Sequence, residues 1–368
     1  MTFQLTIENL EKSFLDSVYV ISHSHNTIKS YKTRIHSFRR FLKESYNIDE
    51  YNLLDRYNNN TLDIFKIFKE FVIFLDKEEK SPRTIRYALS VGKGYLRHMG
   101  IKIDSDDLKH IVKVPKIVKI RELPLDKEII SRLLRNAKPK LHLAILVGVS
   151  TGMRIGEIAQ LKISDIDFAQ NPVKVYLRAS TTKTRESREC FLTSEATNAL
   201  KDYLKRYHGW FEGIRDSVVL DKQIFATVYR HRGPFIADSI IKTLQTELRE
   251  IVRAIPDLNV KDEHGRQAIH LHSLRKFFRT TVGNVVGRDF AEAIIGHGFY
   301  MDTYYQLSDV KKREMFLQAE PYLTMSDFVA VENNIKQMNE KYDKLEAKFE
   351  NLMKYLEKNN VSYSHIIS

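Results

Sequence analysis

A chain of 368 residues exceeds what one hydrophobic core normally supports, so two domains and an appendage are expected, and 43% apolar residues exclude a disordered protein. A formal charge of +12 and a pI near 9.4 point to an anionic macromolecular partner, with nucleic acid first among them. One cysteine, Cys190, excludes an internal disulfide and a thiolate zinc cluster, and with no uninterrupted apolar run of roughly 18 residues a soluble, cytoplasmic protein without a membrane partner is expected.

The opening segment MTFQLTIENLEKSF has acidic residues where a secretion signal needs a basic and then an apolar run. Residues 1–120 hold 21 Lys+Arg against 15 Asp+Glu, and 121–327 hold 32 against 26, so each part carries an excess of six positive charges. Residues 328–368 carry six of each sign, which leaves the basic excess in the two globular parts.

In chain order, Ile28, Tyr31, Ile35, Phe38, Phe41 and Leu42 recur at spacings of three and four, and place one apolar stripe on a helix whose other faces carry Lys29, Lys32, Arg34, Arg39 and Arg40. Phe65, Phe68, Phe71, Val72 and Leu75 repeat the habit, and Ser81-Pro82 opens a further helix from Arg83 to His98. Residues 1–112 therefore read as a helical domain. The stretch KVPKIVKIREL, 113–123, is basic and proline-containing and reads as an extended linker.

Beyond the linker, Asp126 to Asn136 and Lys140 to Val149 read as helices, Val173 to Leu177 and Glu189 to Leu192 as short strands flanking a polar turn, and helices resume at Ser194. Residues 124–327 are thus a mainly α domain with a small sheet. At the C-terminus, 328–368, Ile335, Met338, Tyr342, Leu345, Phe349, Leu352 and Leu356 are spaced 3, 4, 3, 4, 3, 4, the a/d seam of a coiled-coil-like helix that pairs with a copy of itself or folds back on the body.

Four clusters bear on chemistry. The first, TGMRIGEIAQLKISDID, reads as part of a helix-like run. Its Arg154 and Glu157 read either as a local helix pair or as an arginine that grips a phosphate beside two glycines. In the second, TTKTRESRECFL, Lys183 sits in the hairpin turn, where a lysine is ordinarily just solvated. The third, HLHSLRKFFRT, spaces His272 and Arg275 three apart on one helix face. The fourth, IIGHGFYMDTYYQL, sets His297 seven residues before Tyr304 and eight before Tyr305, although a tyrosine pair by an amphipathic helix is ordinarily core.

Taken together and in this order, the clusters resemble the tyrosine recombinase (phage integrase) family, whose catalytic set runs Arg, Lys, His, Arg, His or Trp, Tyr. The resemblance covers roughly residues 124–325, and the helical part before it matches the family's core-binding domain in kind. The phrase AEPYLTM resembles endings of archaeal relatives.

The resemblance implies a site-specific DNA recombinase or integrase that cuts and rejoins strands through a 3′-phosphotyrosyl intermediate, with no cofactor, metal or ATP. Arg154 and Arg275 would clamp the scissile phosphate, His272 and His297 would add hydrogen bonds and assist proton movement, and Lys183 would protonate the departing 5′ oxygen. Glu157 would orient its neighbours.

The DTY run favours Tyr304 as nucleophile, whereas the spacing from His297 suits Tyr305. Lys276 stands where many members have a histidine. The implied partners are double-stranded DNA with specific recombination sites and further copies of the chain, as a tetramer on DNA. The competing readings are a type IB topoisomerase-like enzyme, a catalytically inactive architectural DNA-binding protein, and a structural coiled-coil protein.

Overall fold

The computed structural model describes residues 7–117, 124–226, 236–261, 267–297 and 307–326, and of the C-terminal stretch residues 338, 341–342, 344–351 and 353–354. It divides into two compact units, Met1–Ile120 and Arg121–Ser368.

The first unit is all helical: α1 (Ile7–Ser22), α2 (His25–Tyr46), α3 (Glu50–Asn58), α4 (Ile64–Lys77), α5 (Pro82–His98) and α6 (Ser105–Ile111). Local chemistry sets the helix starts. Ser24 accepts the Thr27 amide at 3.2 Å, and Ser81 accepts that of Thr84 while Pro82 occupies the first turn.

Phe38, Phe41, Phe68 and Phe71 bury their rings in one core, so the stripes legible in the sequence face one another. One carboxylate, Glu50, is 2% exposed in that unit, and it is paired with Arg39 and hydrogen-bonded by the Tyr95 hydroxyl. Residues 113–117 have no regular structure, and 118–123 lie outside the described residues.

In the second unit come α7 (Lys127–Asn136), α8 (Pro139–Thr151), α9 (Ile155–Ala159), α10 (Ser194–His208), α11 (Ser217–Leu220), α12 (Ile236–Ala254), α13 (Leu271–Val286), α14 (Arg288–Ile295) and α15 (Asp309–Leu323). Strands β1 (Ile166–Asp167), β2 (Lys174–Leu177) and β3 (Arg188–Phe191) form an antiparallel sheet in the order β1-β2-β3, with Val175 opposite Cys190. The architecture is mainly α with a small sheet. The central helix is α8, buried from Leu143 to Thr151 on every side, and α13 and α10 pack on it. Among the described residues no helix is long and apolar enough to cross a membrane.

One expectation is corrected. The run from Thr151 onward is not a continuation of one helix: α8 stops at Thr151, Gly152 closes it at φ 63°, and α9 has only five residues. The break is steric as well as conformational, because a Cβ at Gly152 would lie 2.5 Å from Cδ1 of Phe278 and 2.8 Å from Cγ2 of Ile295. Only a residue without a side chain lets α13 and α14 come so close to the end of α8.

Candidate active site

Four chain segments meet where α8 ends: the α8/α9 break, the start of β3, the middle of the first turns of α13, and the C-terminus of α14. Arg154 stands at the N-cap of α9, and Glu157 three residues on accepts the Arg154 backbone N–H at 2.7 Å and its Nη1 at 3.1 Å. The pair is therefore the start of a helix, not a decoration on a solvated helix face. Glu157 is 2% exposed, and its second cationic partner is Arg188, whose two terminal nitrogens donate to its two oxygens at 3.1 and 2.6 Å. Burial alone would raise the Glu157 carboxyl, but the hydrogen bond and charge of Arg188 outweigh it and hold the group below the usual carboxylate range.

Arg188 also ties the sheet to α14, since its Nε donates to the Ile294 carbonyl at 3.0 Å. Gly296 follows immediately, in the left-handed region at φ 66°, and a Cβ there would sit 2.8 Å from Cδ of Arg188. The Gly296 amide donates to the Ala293 carbonyl and the His297 amide to that of Glu292, so the chain reverses at the helix end and brings the His297 ring back over α14.

Arg275, on α13, is 2% exposed and lies below this surface. Its Nη1 donates to the Gly152 carbonyl and its Nη2 to the Ile295 carbonyl, both at 2.7 Å, so the two left-handed helix ends present the acceptors that orient it. Its Nε is buried with no hydrogen-bond partner among the described residues. Burial, and then the neighbouring Arg154 charge, push this guanidinium down to about 10.

His297 Nδ1 lies 2.9 Å from Oε2 of Glu292, and Nε of Arg279 donates to the other carboxylate oxygen at 2.6 Å. Desolvation, followed by the charges of Arg275 and Arg154, lowers the His297 pKa despite Glu292. The ring is therefore chiefly neutral near pH 7 and polarised by a fixed carboxylate. Arg154, Arg188, Arg275 and Arg279 bring four positive charges to this region against the two negative charges of Glu157 and Glu292, an imbalance that favours an anion.

The remaining expected residues are placed less closely. His272 is exposed in the first turn of α13, its ring 6.2 Å from that of His270, whereas Arg275 one turn later is buried. Lys183 lies exposed in the connection between β2 and β3. Tyr304 and Tyr305 lie outside the described residues.

Arg188 and Glu292 were not singled out from the sequence. Arg188 had no signal of its own within TRESRECFL, because its carboxylate partner is 31 residues away. Glu292 precedes His297 by five residues, a spacing that puts two side chains on different sides of a helix unless the helix ends between them, and the glycine in IIGH was the available clue.

Residues 124–305 match the phage integrase family. The chain is 25% identical over 203 residues to the tyrosine recombinase XerA of Saccharolobus solfataricus, covering 54% of this chain and 64% of that protein. It is 27% identical over 191 residues to the tyrosine recombinase XerD of Listeria innocua, covering 50% and 59% respectively. The match thus spans about three-fifths of the length of these curated relatives. Among solved structures, the fold is similar to that of lambda integrase in a tetramer bound to a Holliday junction, with a TM-score of 0.56 and 16% identity over 83% of this chain and 80% of that one. A lambda integrase dimer bound to a COC' core site gives 0.55 at 15% identity, over 82% and 98%. By this family match and the curated relatives, residues 124–305 of the chain form a domain of the phage integrase family, the tyrosine recombinases.

Proposed function

We propose that this chain is a site-specific DNA recombinase that cleaves and rejoins strands of double-stranded DNA through a tyrosine. The single observation that carries the reading is that the buried Arg275 is held by the Gly152 and Ile295 carbonyls at the helix break where Arg154 caps α9, near enough for the Arg154 charge to act on it. A phosphodiester is the anion that two guanidiniums with forked donors suit, and the unsatisfied burial of Arg275 is relieved when a phosphate oxygen approaches.

In this reading Tyr304, with Tyr305 as the alternative, attacks the scissile phosphorus. A tyrosine O–P bond forms, the bond from phosphorus to the 5′ oxygen breaks, and the 3′-phosphotyrosyl ester keeps the bond energy for rejoining. The departing 5′ oxygen takes a proton from Lys183. Glu292 fixes a proton on Nδ1 of His297, which leaves Nε2 as an acceptor for the phenol proton, and His272 adds a hydrogen bond of its own. The arginines supply the positive charge that a metal supplies in other nucleases, so the reaction proceeds without metal or ATP.

Glu157 and Arg188 position Arg154. The basic helical unit 1–112 also binds the duplex, several protomers assemble on paired sites, and the protein works where the DNA is, in the cytoplasm.

The test is covalent trapping on a nicked suicide substrate that carries paired candidate sites, with and without EDTA. A denaturant-stable complex, with the nucleotide mapped by mass spectrometry to Tyr304, is the expected result. Failure to trap under any condition contradicts strand transfer, and relaxation of supercoils without exchange between duplexes assigns the chain to topoisomerase-like chemistry instead.

A further inference from the structure

We propose that the C-terminal stretch joins two copies of this chain through a parallel, in-register coiled coil. The described residues of 338–354 are helical, and Met338, Tyr342, Leu345 and Phe349 are 69, 68, 65 and 54% exposed. These four belong to the seam that runs in the sequence from Ile335 to Leu356. An apolar stripe of this period, left open to water, is covered by a second helix of the same period, and another copy of the same seam supplies one.

The flanking charges choose the orientation. With Tyr342 and Phe349 at a and Met338 and Leu345 at d, the g positions are Lys341 and Lys348, and Glu346 is an e position; Lys341, Glu346 and Lys348 are all exposed. In a parallel pair a g residue faces the e residue five further on in the other helix. Lys341 then meets Glu346 of the second copy, and two-fold symmetry makes the contact twice.

In an antiparallel pair g faces g. Every register that keeps the seam closed then sets Lys341 against Lys348, Lys341 against Lys341, or Lys348 against Lys348. Opposite charges therefore meet only in the parallel arrangement, and like charges oppose the other. Three heptads is near the lower limit for a stable coiled coil, so the pair exchanges with monomer in solution and tightens wherever two protomers are held close. The pairing does not depend on the strand-transfer chemistry.

Sedimentation equilibrium of the full chain without DNA reads the pairing directly. The expected result is a monomer–dimer equilibrium that Leu345→Asp abolishes, while circular dichroism and trapping on nicked DNA show the variant still folded and competent. Lys341→Glu is expected to weaken the dimer at least threefold, and adding Glu346→Lys to restore it. Mild oxidation of Leu345→Cys should give a disulfide-linked dimer, because equivalent d positions face each other only in a parallel pair, and the buried Cys190 stays out of the reaction. A monomer at all concentrations, a dimer that survives Leu345→Asp, or a dimer that Lys341→Glu tightens would overturn the proposal. Failure of the parent chain to trap on nicked DNA while its dimer forms would instead count against the recombinase reading.

Discussion

Arg188 and Glu157 form a two-pronged ion pair across 31 residues of sequence, 2.6 and 3.1 Å in its two contacts, with the side chains 9% and 2% exposed. It joins β3 to the first turn of α9, and the same carboxylate fixes the Arg154 backbone. The residue that is expected to meet the phosphate is thus held by a pair that need never touch it.

Removing Glu157 leaves Arg188 buried without its counter-charge. Glu157→Ala is expected to lower stability by about 3–5 kcal/mol, the usual cost of breaking a buried pair on one side. Urea unfolding would show a lower midpoint at an unchanged slope, and a midpoint within error of the parent would sink the account.

Gly152→Ala tests the close approach of three helices. The added methyl meets Phe278 at 2.5 Å in a backbone conformation that disfavours a side chain, so a loss of about 1–3 kcal/mol is expected. Because the Gly152 carbonyl orients Arg275, strand cleavage should fall further than the fraction unfolded explains. Cleavage in strict proportion to the folded fraction would show that the carbonyl is not an orienting group.

Arg154→Ala is expected to reduce single-turnover cleavage by about 10²–10³-fold with DNA affinity nearly unchanged, since a clamp aimed at the transition state contributes little to ground-state binding. Arg154 is partly open to solvent, so its removal leaves no buried hole to confuse the result. An equal loss of binding and cleavage would assign it to ordinary DNA contact.

The lowered pKa of His297 predicts a pH response with a definite sign. A base whose folded pKa lies below its unfolded value of about 6.5 binds fewer protons when folded between the two, so its contribution makes the protein less stable as pH falls through that window. Glu292, held below the usual carboxylate range chiefly by Arg279 and His297 against its burial, loses its contribution at lower pH still. His297→Gln should flatten the change in unfolding midpoint across the upper window. In the parent, NMR titration of the ring with and without a DNA oligonucleotide should show the pKa rising on binding, because a phosphate offsets the Arg275 and Arg154 charges. A ring that titrates identically in both states would place the phosphate elsewhere.

Much of the architecture was legible along the chain because it is governed by short-range rules. Stripes such as Phe38 with Phe41 and Phe68 with Phe71 mark helices by period alone, and Ser81 and Asp126 mark helix starts by the chemistry of capping. The run from Thr151 misled for the opposite reason. It is helix-like in composition, and the stop at Gly152 is imposed by Phe278 and Ile295, which arrive from more than a hundred residues downstream.

The sequence by itself determined which residue types this chain can bring to a phosphate, their order, and the apolar seam of 335–356, because those follow from composition, local spacing and motif resemblance. Only the tertiary structure decided that Arg188 shares Glu157 with Arg154, that Glu292 polarises His297, and that Arg275 is buried between two helix ends while His272 stays exposed. Such pairings depend on which distant segments pack together, and packing of that kind leaves no period in the chain from which to read it.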